Sequence, residues 1–416
     1  MQYKHSDVTQ KTFEDRPETL HVMGWEVNYM SFSLPEHREK SPLIILGGTF
    51  QSFAAFYQDI KAYLPSMPVI LVALPGQYNN RGKRDSQNLS FRDLAEIMNA
   101  FLDEHSLETV NLAGFSYGSL IAYQYAVYFE NRLEQLILAG CSLELRHAMR
   151  EMMQHMVDTL KDSEQSQFAE MMSQVLLNFN TREQTGSTSG VLNRLTDIIR
   201  QLTPSELTAY QANICRLLRE NLPRRSFAVR TLILSAQHDH LILPSEALEV
   251  YKLFDNAEFI VIQNSDHMLP LQAPRLIQTA LLQFLKGEDF SSPYILSGLE
   301  ALAQAQERRQ QIRYPVDGME AVVSHPDGFS WVGFIEDINM DGCGLSLPEA
   351  QDIASECSGT WKLTIKNTDY VIPGFLHIHH GKASFVFYKP TFEMREALHR
   401  LVGFARVTDE KQVAVH

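Results

Sequence analysis

The sequence predicts an α/β protein: a mostly parallel sheet with helices on both faces and a helical cap, followed by a small antiparallel β-barrel. Three observations point there. From about 41 to 287, short apolar runs alternate with helical stretches, as successive βαβ units do. Between about 141 and 228 the strands stop and the chain reads as polar-faced helix. Beyond about 300, closely spaced strand-like runs are separated by Asp, Gly and Asn turns, the pattern of a small all-β unit.

The elements follow in order. Two apolar stretches, LHVMGWEVNYMSF and SPLIILGG, open the fold; the second is a continuous run ending in Gly-Gly, as a doubly covered strand does. Then come a helical stretch (SFAAFYQDIKAYL), a strand (PVILVALPG), a helix (FRDLAEIMNAFLDEH), a strand (TVNLAGFS), a helix (SLIAYQYAVYF) and a strand (LEQLILAG). The helical segment that follows is interrupted by TREQTGSTSG, a loop by composition. Alternation resumes at RTLILSAQHD, with a helix (SEALEVYKLF), a strand (AEFIVIQNSDH) and a helix (RLIQTALLQFLKG). An inserted run of helices between two strands reads as a cap over a site. The stretch GEDFSSPYILSG reads as a linker. The predicted layout is a first domain over 1–290 with its cap at about 141–228, a linker over 291–302, and a second domain over 303–416. The second domain holds EAVVSH, WVGFIEDI, WKLTIKN, YVIPGFLHI and ASFVFYK as strands and ends on a helix at 391–402.

Composition narrows the partners. The 416 residues carry 36 Lys+Arg against 50 Asp+Glu, a net charge of −14, which argues against a nucleic-acid polymer or an anionic membrane as ligand. A local basic site for one small anion stays compatible with that charge. Four Cys without metal-ligand spacing predict neither disulfides nor structural zinc. The N-terminal residues have no apolar core and no run of 18 apolar residues follows. A cytoplasmic protein without a membrane span is expected.

The first chemical signal is Gly114-Phe115-Ser116-Tyr117-Gly118. It matches G-x-S-x-G between a strand and a helix, where a tight turn lifts the serine clear of the sheet. The flanking glycines suit it because side chains beside the turn would collide. Tyr117 N–H, at the start of the helix, can face a developing oxyanion. A serine alone is a poor nucleophile and needs a base and its orienter. In the α/β-hydrolase families, which this turn resembles, the chain order is Ser, acid, His, each after a later strand. Asp239 follows TLILSAQH and His267 follows FIVIQNSD. His238 and His240 flank Asp239 but arrive before the last strand, and Asp266 is too close in sequence to orient its neighbour's ring. The second oxyanion donor is expected just after the strand at 43–46, at Thr49 N–H, with Phe50 as the alternative.

These residues resemble the α/β-hydrolase superfamily over about 20–286, which implies that fold, a Ser116–His267–Asp239 triad and a cap over it. One departure is visible: many members carry Asp before the Pro-Gly after the fourth strand, and here Ala73 stands in LVALPGQ. Serine at the nucleophile position argues against dehalogenase or epoxide hydrolase chemistry, which use Asp there. The cap holds Met149, Met152, Met153, Met156, Met171 and Met172, six of the chain's 15 Met. Flexible thioethers suit an irregular apolar channel for an acyl chain, and equally suit ordinary filling of a helical core. GGTFQSFAAF, AGFSYGSLIAYQYA and SAQHDHLILPSEA are similar to the rhamnolipid-precursor 3-hydroxyacyl acyltransferases. That implies an acyl substrate on acyl carrier protein or coenzyme A.

The second signal opens the tail. Arg308, Arg309 and Arg313 lie in RRQQIR, and Asp337, Asn339 and Gly342 follow in DINMDG. Guanidinium groups bind phosphates bidentately and stack on purines. Residues 301–416 hold 11 Lys+Arg and 15 Asp+Glu, so the cluster is local. The pair of motifs resembles the PilZ domain over about 303–405, which implies cyclic di-GMP as ligand. Asn339 replaces the usual Ser of the second motif, yet still offers donor and acceptor groups. His377, His379 and His380 read as the polar face of a strand rather than a metal site.

The reading is therefore a cyclic-di-GMP-responsive serine hydrolase or acyltransferase, working through acyl-Ser116 with no catalytic cofactor or metal. Nucleotide binding at Arg309 and Arg313 is expected to gate the cap. The alternative is a non-catalytic receptor or adaptor whose hydrolase-like domain binds a protein partner.

Overall fold

The computed structural model describes residues 1–14, 16–77, 80, 86–162, 165–178, 181–185, 189–306, 314–339, 342–347, 361–366, 368, 371–379, 382–387, 398 and 400–402. Its contacts divide into two compact units, Met1–Arg308 and Arg309–His416.

The first unit begins with β1 (Glu18–Val22), β2 (Trp25–Phe32), β3 (Leu43–Leu46), α1 (Tyr57–Tyr63) and β4 (Val69–Ala73). It continues through α2 (Phe91–Glu104), β5 (Val110–Phe115), α3 (Tyr117–Phe129) and β6 (Leu133–Ala139). Five helices then intervene: α4 (His147–Asp162), α5 (Gln165–Leu176), α6 (Arg182–Thr185), α7 (Ser189–Arg200) and α8 (Pro204–Arg219). The sheet resumes with β7 (Arg230–Ala236), α9 (Pro244–Tyr251), β8 (Ala257–Ile262), α10 (Leu269–Gln272) and α11 (Pro274–Lys286). It finishes with β9 (Ile295–Ser297) and α12 (Gly298–Gln306).

The nine strands lie in the order β1-β2-β4-β3-β5-β6-β7-β8-β9. From β4 through β8 all neighbours are parallel. β2 and β9 join that core antiparallel. Because side chains alternate along a strand, each central strand feeds two cores. Ile44, Leu46, Ile70 and Val72 point into one, while Leu43, Ile45, Val69 and Leu71 point into the other. All eight are essentially inaccessible, each worth roughly 1.5–3 kcal/mol of burial.

Local signals explain the helix boundaries. Ser90 caps α2 reciprocally with Asp93: its hydroxyl accepts Asp93 N–H at 3.1 Å while Asp93 Oδ2 accepts Ser90 N–H at 2.7 Å. Apolar residues at Leu94, Ile97, Met98 and Phe101 then turn one face of α2 into the core. Thr203 and Glu206 repeat the device at α8, with Pro204 at its first position. The cap helices bury a cluster of their own, which includes Met156, Phe168, Met172, Ile199, Tyr210 and Ile214.

Two expectations change. The segment read as a linker over 291–302 belongs to the first unit. β9 pairs with β8, Ile262 opposite Ile295, and α12 buries Ala301 and Ala305 in the main core. The apolar signal there is only three residues of strand and a small-residue helix face, too short to outweigh Gly, Ser and Pro in the composition. TREQTGSTSG, read as a loop, includes the helical turn α6 and the start of α7.

The second unit is a closed antiparallel barrel. Its strands are β10 (Tyr314–Ser324), β11 (Ser330–Ile338), β12 (Gly342–Ser346), β13 (Trp361–Ile365), β14 (Val371–His379) and β15 (Lys382–Phe387). They close in the order β10-β11-β12-β15-β14-β13. Trp331 and Ile335 of β11 point inward while Val332 and Phe334 point out. Trp331 stacks on Trp361 with ring centroids 5.1 Å apart. Most of the helix expected at 391–402 lies outside the described residues; Leu398, within it, is buried in the barrel core.

Candidate active site

The strand β5 enters the sheet between β3 and β6, with Gly114 opposite Leu46 on one side and Leu138 on the other. The chain then reverses into α3 within one residue, Ser116, at φ 49° and ψ −117°. A non-glycine residue held there costs about 1–3 kcal/mol. Two glycines make the turn possible. A Cβ on Gly114 would lie 2.4 Å from the Gly118 carbonyl oxygen, and one on Gly118 would lie 2.3 Å from that of Leu46. Ser116 N–H donates to Ala139 O at 2.8 Å, and Ser119 Oγ donates to Ser116 O at 2.6 Å. The strained turn is therefore held from both sides.

Ser116 Oγ lies 2.8 Å from Nε2 of His267, in the loop after β8. The Nδ1 of His267 lies 2.9 Å from Oδ2 of Asp239, in the loop after β7. An ionised carboxylate only accepts, so Nδ1 carries the proton and Nε2 presents a lone pair to the serine hydroxyl. Asp239 is itself fixed: Oδ1 accepts Leu241 N–H at 3.0 Å and Ile242 N–H at 2.8 Å. Burial by itself lowers the His267 pKa, but the charge and hydrogen bond of Asp239, with Asp266 behind, outweigh it and the net direction is up.

The neighbours set aside from sequence are placed elsewhere. His238 is buried and its pKa is lowered by burial. His240 is pushed down to about 4, mainly by burial. The Asp266 carboxylate is engaged by backbone groups instead. Its Oδ1 accepts Met268 N–H at 2.9 Å and its Oδ2 accepts Asn178 N–H at 2.8 Å. It thus braces the histidine loop against the cap.

Thr49 follows β3 in a turn that packs on the nucleophile. A Cβ on Gly48 would lie 3.3 Å from Ser116 Cβ. Gln51 Oε1 accepts Gly48 N–H at 2.7 Å, and Gln77 Nε2 donates to Gly47 O at 2.8 Å. Thr49, Phe50, Ser116, Tyr117 and His267 all line one cavity of about 150 Å³ beneath the cap. Met149, Met152, Met153, Met156 and Met172 line it too, while Met171 packs against the cap core. Both readings of the methionines are thus realised: filling of the cap and lining of a cavity.

Three residues of α8 escaped the sequence reading. Tyr210 stacks on Phe50 with centroids 4.8 Å apart, and its hydroxyl donates to the thioether sulfurs of Met156 and Met172. Asn213 Nδ2 donates to Gly76 O at 2.7 Å. Arg216 donates to the Tyr117 hydroxyl and to Ser86 and Leu89 carbonyls. These partners lie about 40 to 160 positions away along the chain, beyond the reach of any local pattern; a polar residue on the apolar face of an amphipathic helix was the available hint.

In the barrel, Asp337, Asn339 and Gly342 meet at the connection from β11 to β12. Asn339 Oδ1 accepts Gly342 N–H at 2.9 Å, and Asp337 Oδ1 accepts Gly344 N–H at 2.9 Å. Arg308, Arg309 and Arg313 lie outside the described residues. Among the described residues no cluster of His, Cys, Asp or Glu could hold a metal ion, and no helix is long and apolar enough to cross a membrane.

Comparison with known proteins gives consistent matches. Residues 41–274 match a family model described as alpha/beta hydrolase fold. The chain is 21% identical over 288 residues to the (R)-3-hydroxydecanoyl-ACP:CoA transacylase of Pseudomonas aeruginosa, covering 65% of this chain and 91% of that protein. An alpha/beta hydrolase enzyme from a Medee basin deep-sea metagenome library superposes with TM-score 0.58 at 13% identity, covering 66% of this chain and all of that one. The enol-lactonase of Burkholderia xenovorans gives TM-score 0.57 at 14% identity, covering 65% of this chain and all of that one.

Proposed function

The chain belongs to the alpha/beta hydrolase fold family, and from that premise we propose that it cleaves or transfers acyl esters or thioesters through an acyl-Ser116 intermediate. The observation that carries the reading is the Ser116–His267–Asp239 relay opening into an apolar, methionine-lined cavity. His267 Nε2 takes the Ser116 proton as Oγ attacks the acyl carbonyl. The tetrahedral oxyanion forms against the N–H groups of Tyr117 and Thr49. On collapse, the protonated His267 gives its proton to the leaving alcohol or thiol. Water or an acceptor hydroxyl or thiol, deprotonated by His267, then releases the acyl group and frees Ser116.

The cavity volume matches one that takes a benzene-sized guest, so it suits an apolar segment of about six carbons. The similarity to a protein named as acting between acyl carrier protein and coenzyme A supports an acyl thioester as substrate. The test is mass spectrometry of Ser116 and of released products after exposure to a panel of acyl esters and of acyl-carrier-protein and coenzyme A thioesters. A mass increment on Ser116 that is discharged by water or by a second acceptor is expected. No increment and no product across the panel would overturn the reading and favour the adaptor alternative.

We further infer that the barrel is a PilZ-type receptor for cyclic di-GMP. Two things support it: a closed six-stranded antiparallel barrel with Asp337, Asn339 and Gly342 gathered at one turn among the described residues, and the arginine motif read from the sequence. Titration calorimetry of the full chain with cyclic di-GMP tests it, with Arg313→Ala as the control expected to lose binding. Heat-silent titration of the wild type would sink the idea. Hydrolase activity unchanged by bound nucleotide would sink the gating of the cap.

A further inference from the structure

Arg216 is 0% exposed, and what surrounds its guanidinium is unusual. Nε donates to Leu89 O at 2.5 Å, and Nη2 to Ser86 O at 2.6 Å. Nη1 donates to Asn213 Oδ1 at 3.0 Å and to the Tyr117 hydroxyl. All four acceptors are neutral. The carboxylate of Glu220, next along the chain, is engaged with Phe91 N–H and with Arg219 instead. A guanidinium does not lose its proton in proteins, so this is a full positive charge in the interior. Among the described residues no carboxylate pairs with it; burying a charge in that way is costly, and a Leu or Met would complete the apolar face of α8 more cheaply.

The charge is not placed at random. It meets Tyr117, the residue after the nucleophile, whose backbone N–H starts α3. The same helix reaches the other side of the site, where Tyr210 stacks on Phe50, the neighbour of Thr49. Asn213 adds a tie to Gly76, in the loop after β4. One cap helix therefore grips the loops that follow β3, β4 and β5, and two of those loops carry the groups that face a developing oxyanion.

We propose that Arg216 is a positioning residue for the oxyanion, holding Tyr117 by its hydroxyl and contributing a fixed positive charge behind it. This rests on the acyl-Ser116 reading of the site. A fixed charge in a water-poor site favours the anionic tetrahedral state over the neutral ground state, so it acts on turnover rather than on substrate binding.

The experiment compares the wild-type full chain with Arg216→Met, Arg216→Lys and Tyr117→Phe. Each is assayed for kcat and KM on an acyl ester, and for Ki of an alkyl boronic acid. The boronate mimics the charged state: Ser116 Oγ bonds to boron, its proton moves to His267, and boron becomes a tetrahedral anion. Arg216→Met is expected to lower kcat about tenfold, with KM within about twofold, and to raise the boronate Ki by a similar factor. Arg216→Lys keeps the charge and restores most of both. Tyr117→Phe keeps the buried ring and lowers kcat in the same direction.

A merely structural role predicts lower melting temperatures with an unchanged boronate Ki, or a higher KM at constant kcat, and either result overturns the proposal. Should Arg216→Met fail to fold, Tyr117→Phe and Arg216→Lys decide it by the same two readouts. A wild-type chain that neither turns over an acyl compound nor binds the boronate sinks the acyl-Ser116 reading and this role with it. Turnover that the variants leave untouched sinks this role alone.

Discussion

The backbone N–H of Asn178 donates to Oδ2 of Asp266 at 2.8 Å, so a cap residue holds the loop that presents His267. The other carboxylate oxygen accepts Met268 N–H, and Gln272 Oε1 accepts the Asp266 N–H at 2.8 Å. Asp266→Ala leaves two N–H groups without their acceptor, which costs about 2 kcal/mol or more. Denaturant unfolding is expected to show that loss, and kcat is expected to fall several-fold because His267 is no longer held toward Ser116.

Replacing Ser116 by Ala removes the hydroxyl that the proposed mechanism acylates. Turnover of an acyl ester is expected to drop by about 10⁶, and Asp239→Asn, which upsets the His267 tautomer, by about 10⁴. Both variants keep the fold, so circular dichroism should match the wild type. A Ser116→Ala chain with residual activity within a factor of ten would mean another nucleophile.

The pH profile follows from the sign of the His267 shift. Its pKa lies above the ordinary 6.5 because Asp239 outweighs burial, and the base must be neutral to act. The rising limb of kcat/KM is therefore expected above pH 6.5. In Asp239→Asn, burial is left in charge and the limb should move below that value. The same shift adds stability that is complete below the unfolded-state pKa and disappears as pH rises through the folded one. A limb that stays put in Asp239→Asn would contradict the pairing.

At Gly118 there is no room for a methyl group. Gly118→Ala would drive Cβ into the Leu46 carbonyl oxygen, 2.3 Å away and part of the sheet. A destabilisation of about 3 kcal/mol or more is expected, visible as a lowered melting temperature or a failure to fold. A neutral result would show that the elbow has slack.

Met152 lines the cavity and is partly buried at the edge of the cap cluster. Met152→Trp should fill part of it and reduce kcat/KM for longer acyl chains about tenfold relative to short ones. The comparison is a chain-length series on one leaving group. An unchanged ratio would place the acyl chain elsewhere.

How far the sequence predicts this molecule depends on the distance over which each signal acts. Ser116 was legible because its strand, turn and helix lie within twenty consecutive residues. Asp239 and His267 were legible because each sits in the loop that follows a strand, in a predictable order. β9 was hidden because three residues of strand carry too little periodicity, and its helix α12 shows only small residues to the core. Asp266 is too close in sequence to orient the His267 ring; its role as a brace depends on Asn178, 88 positions earlier. Arg216 and Asn213 act on carbonyls more than 120 positions away, and only the folded chain brings those together.

β9 also bears on how the chain reaches its native state. Until residues 295–297 arrive, β8 presents Ile260 and Ile262 along an unpaired strand edge, a template for any other extended chain. All three residues of the relay have by then been synthesised. A fragment stopped near 290, where composition suggests a boundary, would therefore hold Ser116, Asp239 and His267 and still be prone to edge-to-edge aggregation. Protection of the hydrolase sheet comes from the stretch that looks most dispensable.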